Sequence, residues 1–274
     1  MADQAGYYPC TCIALDVQSY GGNNDRRQSE IQHDLPRLLS RAALNAALDR
    51  TRWHIQAKGD EQLAVAPMDG SEPRIVDDYI RHITAGLLTY NQDRVRGARM
   101  RVRAAVHHGP VEVADNGFAG RTVVTTCRLL NSAPLRGALA AADDADLVLA
   151  LSDQVFQTTV AGGHTTLPEA AFRRVPVQEK EYESTAWLWV PGHDAHGLDL
   201  EGGTAPTGPG APGGPTGPSG APRPSAPAGA ARQRAGQPDP RVRNTFKGRN
   251  LNVNNFNAPV DLRGGVVGFG STDG

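Results

Sequence analysis

Apolar residues fall along this chain in two rhythms, and their order predicts the elements. Cys10 to Leu15 is a short apolar run that reads as a first strand, closed by Asp16. Gln28 to Leu48 carries Ile31, Leu35, Leu38, Leu39, Ala42, Ala43 and Ala46 at helical spacing, with Pro36 predicting a late start or a kink. Trp53-His-Ile-Gln-Ala and Leu63-Ala-Val-Ala flank Lys58-Gly59-Asp60, which predicts a hairpin with Asp60 at its turn. A second amphipathic helix is expected from about Arg74 to Asn91, with Ile75, Ile80, Ile83, Leu87 and Leu88 inward. Met100 to Val111 alternates as a strand and is expected to stop at Gly109-Pro110.

After a Gly-rich turn at Asn116 to Gly120, Val123 to Leu130 predicts a third helix. Asp146 to Ser152 reads as a buried strand, and Asp153 to Val160 as a short helix. Phe172 to Val177 and Thr185 to Val190 close the domain as strands. Hairpins interrupt the alternation of strands and helices. That favours an α+β domain with a mixed sheet over a doubly wound one.

Composition changes the picture at the C-terminal end. Among 274 residues, 39% are hydrophobic and 21% charged, so a normal core needs the polar residues to be concentrated somewhere. They are concentrated over residues 202–240, almost entirely Gly, Pro, Ala, Ser and Thr, with no aromatic or large aliphatic residue. Such a stretch cannot bury enough apolar surface to offset the entropy of ordering it, and is expected to be a disordered linker. Its Gly and Pro follow no strict three-residue repeat, which excludes collagen. Residues 244–270 then alternate Asn with apolar residues before a Gly-rich end, a β-prone pattern. It fits a motif that pairs with a sheet edge, stacks on copies of itself or docks on a protein partner, or a plain disordered tail.

The formal net charge of −1 argues against a dedicated nucleic-acid binder. No run approaches the ~20 apolar residues of a membrane span, and no basic-then-apolar leader begins the sequence. Three cysteines without framework spacing fit a reducing cytoplasm. Cys10 and Cys12 share one face of a strand and read as small core residues rather than a metal-binding pair, since the chain lacks a convincing set of two further soft ligands. His107 and His108 must point to opposite sides of theirs, as core-satisfied histidines or as a ligand or proton shuttle.

Asp16 and Asp60 carry the candidate chemistry. A carboxylate at a strand end can present a hard-cation ligand from a rigid element, though turn and cap aspartates are commonplace. Two on neighbouring strands could hold a pair of Mg²⁺ or Mn²⁺ ions that orient a nucleoside triphosphate.

In order along the chain stand Leu15-Asp16-Val17 with Tyr20, Gly59-Asp60 followed by Leu63-Ala-Val, and Arg103-Ala-Ala-Val-His-His-Gly-Pro-Val. Gly120-Arg-Thr-Val-Val-Thr-Thr-Cys-Arg128-Leu129 and Leu151-Ser-Asp-Gln-Val-Phe156 follow. On these five segments, residues 9–192 resemble the class III nucleotidyl cyclase domain, the catalytic domain of adenylate and guanylate cyclases, in the divergent form common in high-GC actinobacteria. The resemblance implies a ferredoxin-like mixed sheet with flanking helices and a homodimer. It makes Asp16 and Asp60 the two metal ligands and puts Arg128 on the triphosphate as a catalytic group. Lys180 lies near the family's phosphate-binding lysine, or is a surface lysine, and Gln56 stands at a base-reading position.

The chain also departs from the pattern. Val124 occupies the place of the ribose-orienting Asn, and Gly117 that of a purine-reading carboxylate, with Asp115 and Asn116 only nearby. The metal and phosphate half is kept while the ribose and base half is eroded. Two readings follow: a nucleotide-binding signalling module with little turnover, tethered to a C-terminal interaction motif, or an active homodimeric cyclase. The second would convert a nucleoside triphosphate to a 3′,5′-cyclic nucleotide and pyrophosphate with two divalent ions.

Overall fold

A computed structural model describes residues 6–114 and 117–200. The segments 202–240 and 244–270, and the pair Asp115 and Asn116, lie outside the described residues.

The first half of the domain is a βαββαβ unit. Strand β1 (Tyr8–Val17) leads to helix α1 (Asp25–Asn45), the hairpin β2 (His54–Lys58) and β3 (Glu61–Pro67), a helical segment and strand β4 (Val102–Ala114). These strands lie in the order β2-β3-β1-β4 with every neighbouring pair antiparallel, the arrangement of a ferredoxin-like sheet. Helix α1 starts three residues before the apolar pattern begins, because Asn24 caps it by accepting a hydrogen bond from the Arg27 amide at 2.9 Å. Pro36 sits inside this helix rather than at its start.

The second helical segment combines a single turn α2 (Glu72–Arg74), a π-helical turn (Ile75–Tyr79) and helix α3 (Ile80–Asn91). The wide turn places Asp77 inward, where it accepts from the amide and hydroxyl of Thr166 and pairs with Arg81. Ile75, Ile80, Ile83 and Leu87 are buried as the spacing predicts, but Leu88 points outward. At 100° per residue it lies one step beyond the buried stripe.

The second half extends the sheet. Strand β5 (Gly117–Ala119) folds back on the end of β4, and helices α4 (Arg121–Leu130) and α5 (Ala133–Ala141) return the chain to β6 (Leu147–Ser152), parallel to β4. Helix α6 (Asp153–Thr159) precedes the hairpin β7 (Arg173–Glu179) and β8 (Tyr182–Trp189), giving the order β2-β3-β1-β4-β6-β8-β7. The result is an α+β domain with one large mixed sheet and flanking helices.

Two apolar layers sandwich this sheet. Ile13, Leu15 and Val17 of β1 pack beneath α1, α3 and α6, while Cys10, Cys12 and Ala14 face α4 and α5. In the first layer an aromatic column joins α6 to β8. Phe156 stacks on Trp187 with centroids 3.7 Å apart and meets Phe172 edge-on at 5.4 Å, and Phe172 reaches Trp189 at 6.1 Å. Trp187 Nε1 donates to Asp153 at 2.9 Å.

Strand β4 does not stop at Gly109-Pro110. Pro110 faces Pro9 across the β1–β4 pair, so the two residues lacking an N–H confront each other. Gly109 is there for close approach. A Cβ on it would overlap Thr122 Oγ1, and Thr122 donates to the Pro110 carbonyl at 2.8 Å, seating the first turn of α4 on the strand.

Candidate functional site

Alternation along the strands puts the candidate residues on the α4 face of the sheet. Asp16 continues the row of Cys10, Cys12 and Ala14 at the end of β1. Its partner in register on β4 is Arg103, and the two form an ion pair with both side chains mostly buried. On the other flank of β1 the β2–β3 hairpin turns at Gly59-Asp60, with Gly59 supplying the left-handed φ of 64°. That turn delivers the Asp60 carboxyl to within hydrogen-bonding reach of Asp16.

The electrostatics follow from this convergence. Burial, then the adjacent Asp16 carboxylate, pushes the Asp60 carboxyl up to about 6. Burial and Asp16 also raise Glu61, the next residue on β3. Arg103 offsets only part of this negative charge, and its buried Nε has no hydrogen-bond partner among the described residues.

Whether divalent ions suit this place turns on the donor set. Among the described residues no group of three His, Cys, Asp or Glu side chains is placed to hold a metal ion. A convergent carboxylate pair is nevertheless what Mg²⁺ or Mn²⁺ uses when phosphate oxygens and water complete an octahedral shell. A cation there would relieve the repulsion that raises Asp60. Asp16 and Asp60 would supply only part of such a shell, since Asp16 also pairs with Arg103.

Gln56 lies on β2 opposite Leu63, so its side chain shares the α4 face. A Cβ built on Gly117 would come within 3.0 Å of Gln56 Nε2. The two positions that the resemblance assigns to base reading therefore touch. The one side chain there is an uncharged amide.

Arg128 and Lys180 form a separate group. Arg128, in the last turn of α4, reaches the β7–β8 turn and pairs with Glu181 at 2.9 Å. Lys180 precedes Glu181 in that two-residue turn and adopts a left-handed φ of 55°. The backbone amide of Glu181 and the Arg128 guanidinium hold the Glu181 carboxyl below the usual range. Among the described residues no hydrogen bond or ion pair joins this group to Asp16 and Asp60. Val124, one turn before Arg128 on the same helix, is 49% exposed and presents only methyl groups.

The remaining candidates are structural in their contacts. Cys10 and Cys12 are buried, and burial pushes the Cys12 thiol up to about 12, so it is a neutral core filler. His107 Nδ1 bonds Ser152 Oγ at 2.9 Å and His108 Nδ1 bonds Thr11 Oγ1 at 3.0 Å, each on its own side of the sheet. Burial lowers both imidazoles, His107 to about 4. Arg103 is the site residue that the pattern concealed. In an Arg-Val-Arg alternation it reads as a solvated position, and only its register with Asp16 gives it a task.

No protein-family model matches the chain, and no curated protein matches it in sequence. Solved structures do match. An adenylate/guanylate cyclase/hydrolase from Silicibacter pomeroyi superposes with a TM-score of 0.51 at 20% identity, over 69% of this chain and 99% of the other. The guanylyl cyclase Cya2 gives a TM-score of 0.48 at 15% identity, over 72% and 100% of the two chains. The first of these shows the fold, which is class III nucleotidyl cyclase-like. Among the described residues no helix is long and apolar enough to cross a membrane.

Proposed function

We propose that this chain is a divergent cyclase-like signalling domain that binds a nucleoside triphosphate with divalent ions and turns it over slowly or not at all. The observation that carries the reading is the meeting of Asp16 and Asp60 beside Arg103, with Asp60 raised to about 6. Two carboxylates kept together at such electrostatic cost, one near the end of β1 and one in the β2–β3 turn, with Arg103 offsetting only part of their charge, would suit a divalent cation. Mg²⁺ or Mn²⁺ bound there would supply charge neutralisation at the phosphates. Asp16 and Asp60 would hold the ions and Arg103 would fix Asp16. Arg128 and Lys180 would present cationic donors to phosphate oxygens.

The weak half of the site supports low turnover. Val124 can neither donate nor accept a hydrogen bond where a ribose would need orienting, and Gln56 beside Gly117 offers a base edge an amide with no clear preference. Loss of an orienting group slows such chemistry by orders of magnitude while leaving phosphate and metal binding in place.

Asp16 and Asp60 form one group and Arg128 and Lys180 another, which is how a site shared between two copies of a chain would be divided. A homodimer is therefore part of the proposal. Residues 244–270 would serve as a tethered motif for a protein partner or for self-assembly.

The test is incubation with each of the four nucleoside triphosphates and Mn²⁺, reading nucleotide binding, pyrophosphate and cyclic product together. Mn²⁺-dependent binding with little product, lost in both Asp16→Asn and Asp60→Asn proteins that still fold, is the expected result. Robust product formation would favour the active cyclase, which the retained carboxylate pair and Arg128 also fit. Absence of binding to any nucleotide would overturn both readings.

A further inference from the structure

The Arg128–Glu181 contact has a consequence for the order of events at the site, and it rests on the nucleotide-binding reading above. The pair is lopsided. Arg128 is 20% exposed, held in α4 against the sheet, whereas Glu181 is 76% exposed at the tip of the β7–β8 turn. One oxygen of Glu181 meets one terminal nitrogen of Arg128 at 2.9 Å, while the buried Nε of the same guanidinium has no hydrogen-bond partner among the described residues. The carboxylate therefore satisfies only part of a planar fork that suits two or three anionic oxygens.

The turn itself keeps Glu181 in place. Gln178 faces Glu183 and Glu179 faces Tyr182 across the hairpin, which leaves Lys180 and Glu181 as the only residues between the strands. Lys180 takes the left-handed conformation that glycine would adopt at less cost, so the turn carries a cation and an anion side by side at a conformational price. Glu181 thus pairs with one of the two cations assigned to phosphate oxygens and follows the other in sequence.

We propose that Glu181 is a built-in competitor for the phosphate site, a carboxylate that occupies Arg128 until the triphosphate displaces it. A phosphate chain must break the Arg128–Glu181 pair before it can use the whole fork, and the exposed partner is the one that leaves. Glu181 then sets the threshold concentration of nucleotide at which the domain responds, and discriminates against anions of low charge. A monophosphate offers too little charge to displace it, whereas a triphosphate does not.

The experiment measures binding of inorganic tripolyphosphate and of ATP and GTP with Mn²⁺ to the full chain. It compares wild type, Glu181→Gln, Arg128→Ala, the Arg128→Ala/Glu181→Gln double variant and Glu183→Gln. Glu183 is an exposed carboxylate of the same hairpin, so its variant controls for the loss of one negative charge. The expected result is that Glu181→Gln tightens tripolyphosphate about tenfold, Glu183→Gln less than twofold, and that the gain disappears in the Arg128→Ala background. Thermal melting of Glu181→Gln should match wild type, since the side chain that changes is 76% exposed and an ion pair with one such partner adds little to stability. A gain of equal size from Glu183→Gln, or one that survives removal of Arg128, would overturn the proposal and leave a net-charge effect. If Arg128→Ala weakens binding while Glu181→Gln changes nothing, the competitor role fails and the nucleotide reading stands. If no protein of the series binds any of the probes, the nucleotide reading fails first and takes this one with it.

Discussion

Val124 exposes methyl groups on α4 one turn from Arg128, on a helix whose other apolar residues are largely covered. Nothing in the packing demands an apolar side chain there, so Val124→Asn should fold as wild type. If the missing amide limits turnover, that variant should raise pyrophosphate-coupled activity by one or more orders of magnitude. A robustly active wild type with no gain in the variant would place the orienting group elsewhere. His107 supplies a different test. Burial holds its folded pKa at about 4, below the ordinary 6.5. Between those values the unfolded chain takes up a proton that the folded protein refuses. Stability therefore falls as pH drops from about 6.5 to about 4, and this contribution is flat outside that window. The loss should be on the order of 2 kcal/mol after allowance for partial exposure. His107→Asn, which keeps a donor near Ser152, should flatten part of the acid limb in urea midpoints measured at pH 7 and pH 4.5. An unchanged limb would mean that other groups govern it.

At the level of elements, the seam between β4 and α4 is the tightest test of how the fold is built. Gly109→Ala would drive a methyl group into Thr122 Oγ1 and should cost about 2–3 kcal/mol in chemical denaturation. Thr122→Ala in the same chain should recover part of that loss, and simple additivity of the two substitutions would refute the contact. The same seam explains what patterning could and could not reach. Strands β1, β3, β4 and β6 were legible because Ile13, Leu15, Val65, Val106 and Leu149 alternate or cluster as buried strands do. The end of β4 was not. Gly109-Pro110 is a stop signal unless α4 must sit on the glycine and Pro9 faces the proline, both of which are tertiary facts. Helix α5 was missed because Ala133–Ala141 offers small residues without a strong stripe, although Ser132 and Pro134 mark its start. Asp16 and Asp60 were readable as strand-end carboxylates, whereas Arg103 needed the β1–β4 register.

For the whole molecule, the proposed division of the site between two chains predicts an isologous homodimer through the cyclase-like domain. Sedimentation velocity with and without nucleotide should detect it. A monomer at every practical concentration would count against an active enzyme and leave the binding module. The domain completes its own packing close to Leu200. Arg173 donates to the Leu198 carbonyl at 2.7 Å, and the Leu200 backbone lies against Gly137 of α5. Truncation after Gly203 should therefore leave the melting temperature unchanged while removing any higher-order assembly or partner binding. Unfolding of the truncated chain would show that the remaining residues complete the sheet. The aromatic column under β8 adds a practical consequence. Two of the three tryptophans of the chain, Trp187 and Trp189, stand on the strand that leads out of the Lys180-Glu181 turn, and one of them is stacked on Phe156. If the proposed nucleotide binding rearranges that hairpin, the stacking should change with it, and tryptophan emission followed in stopped flow without a label would read the event.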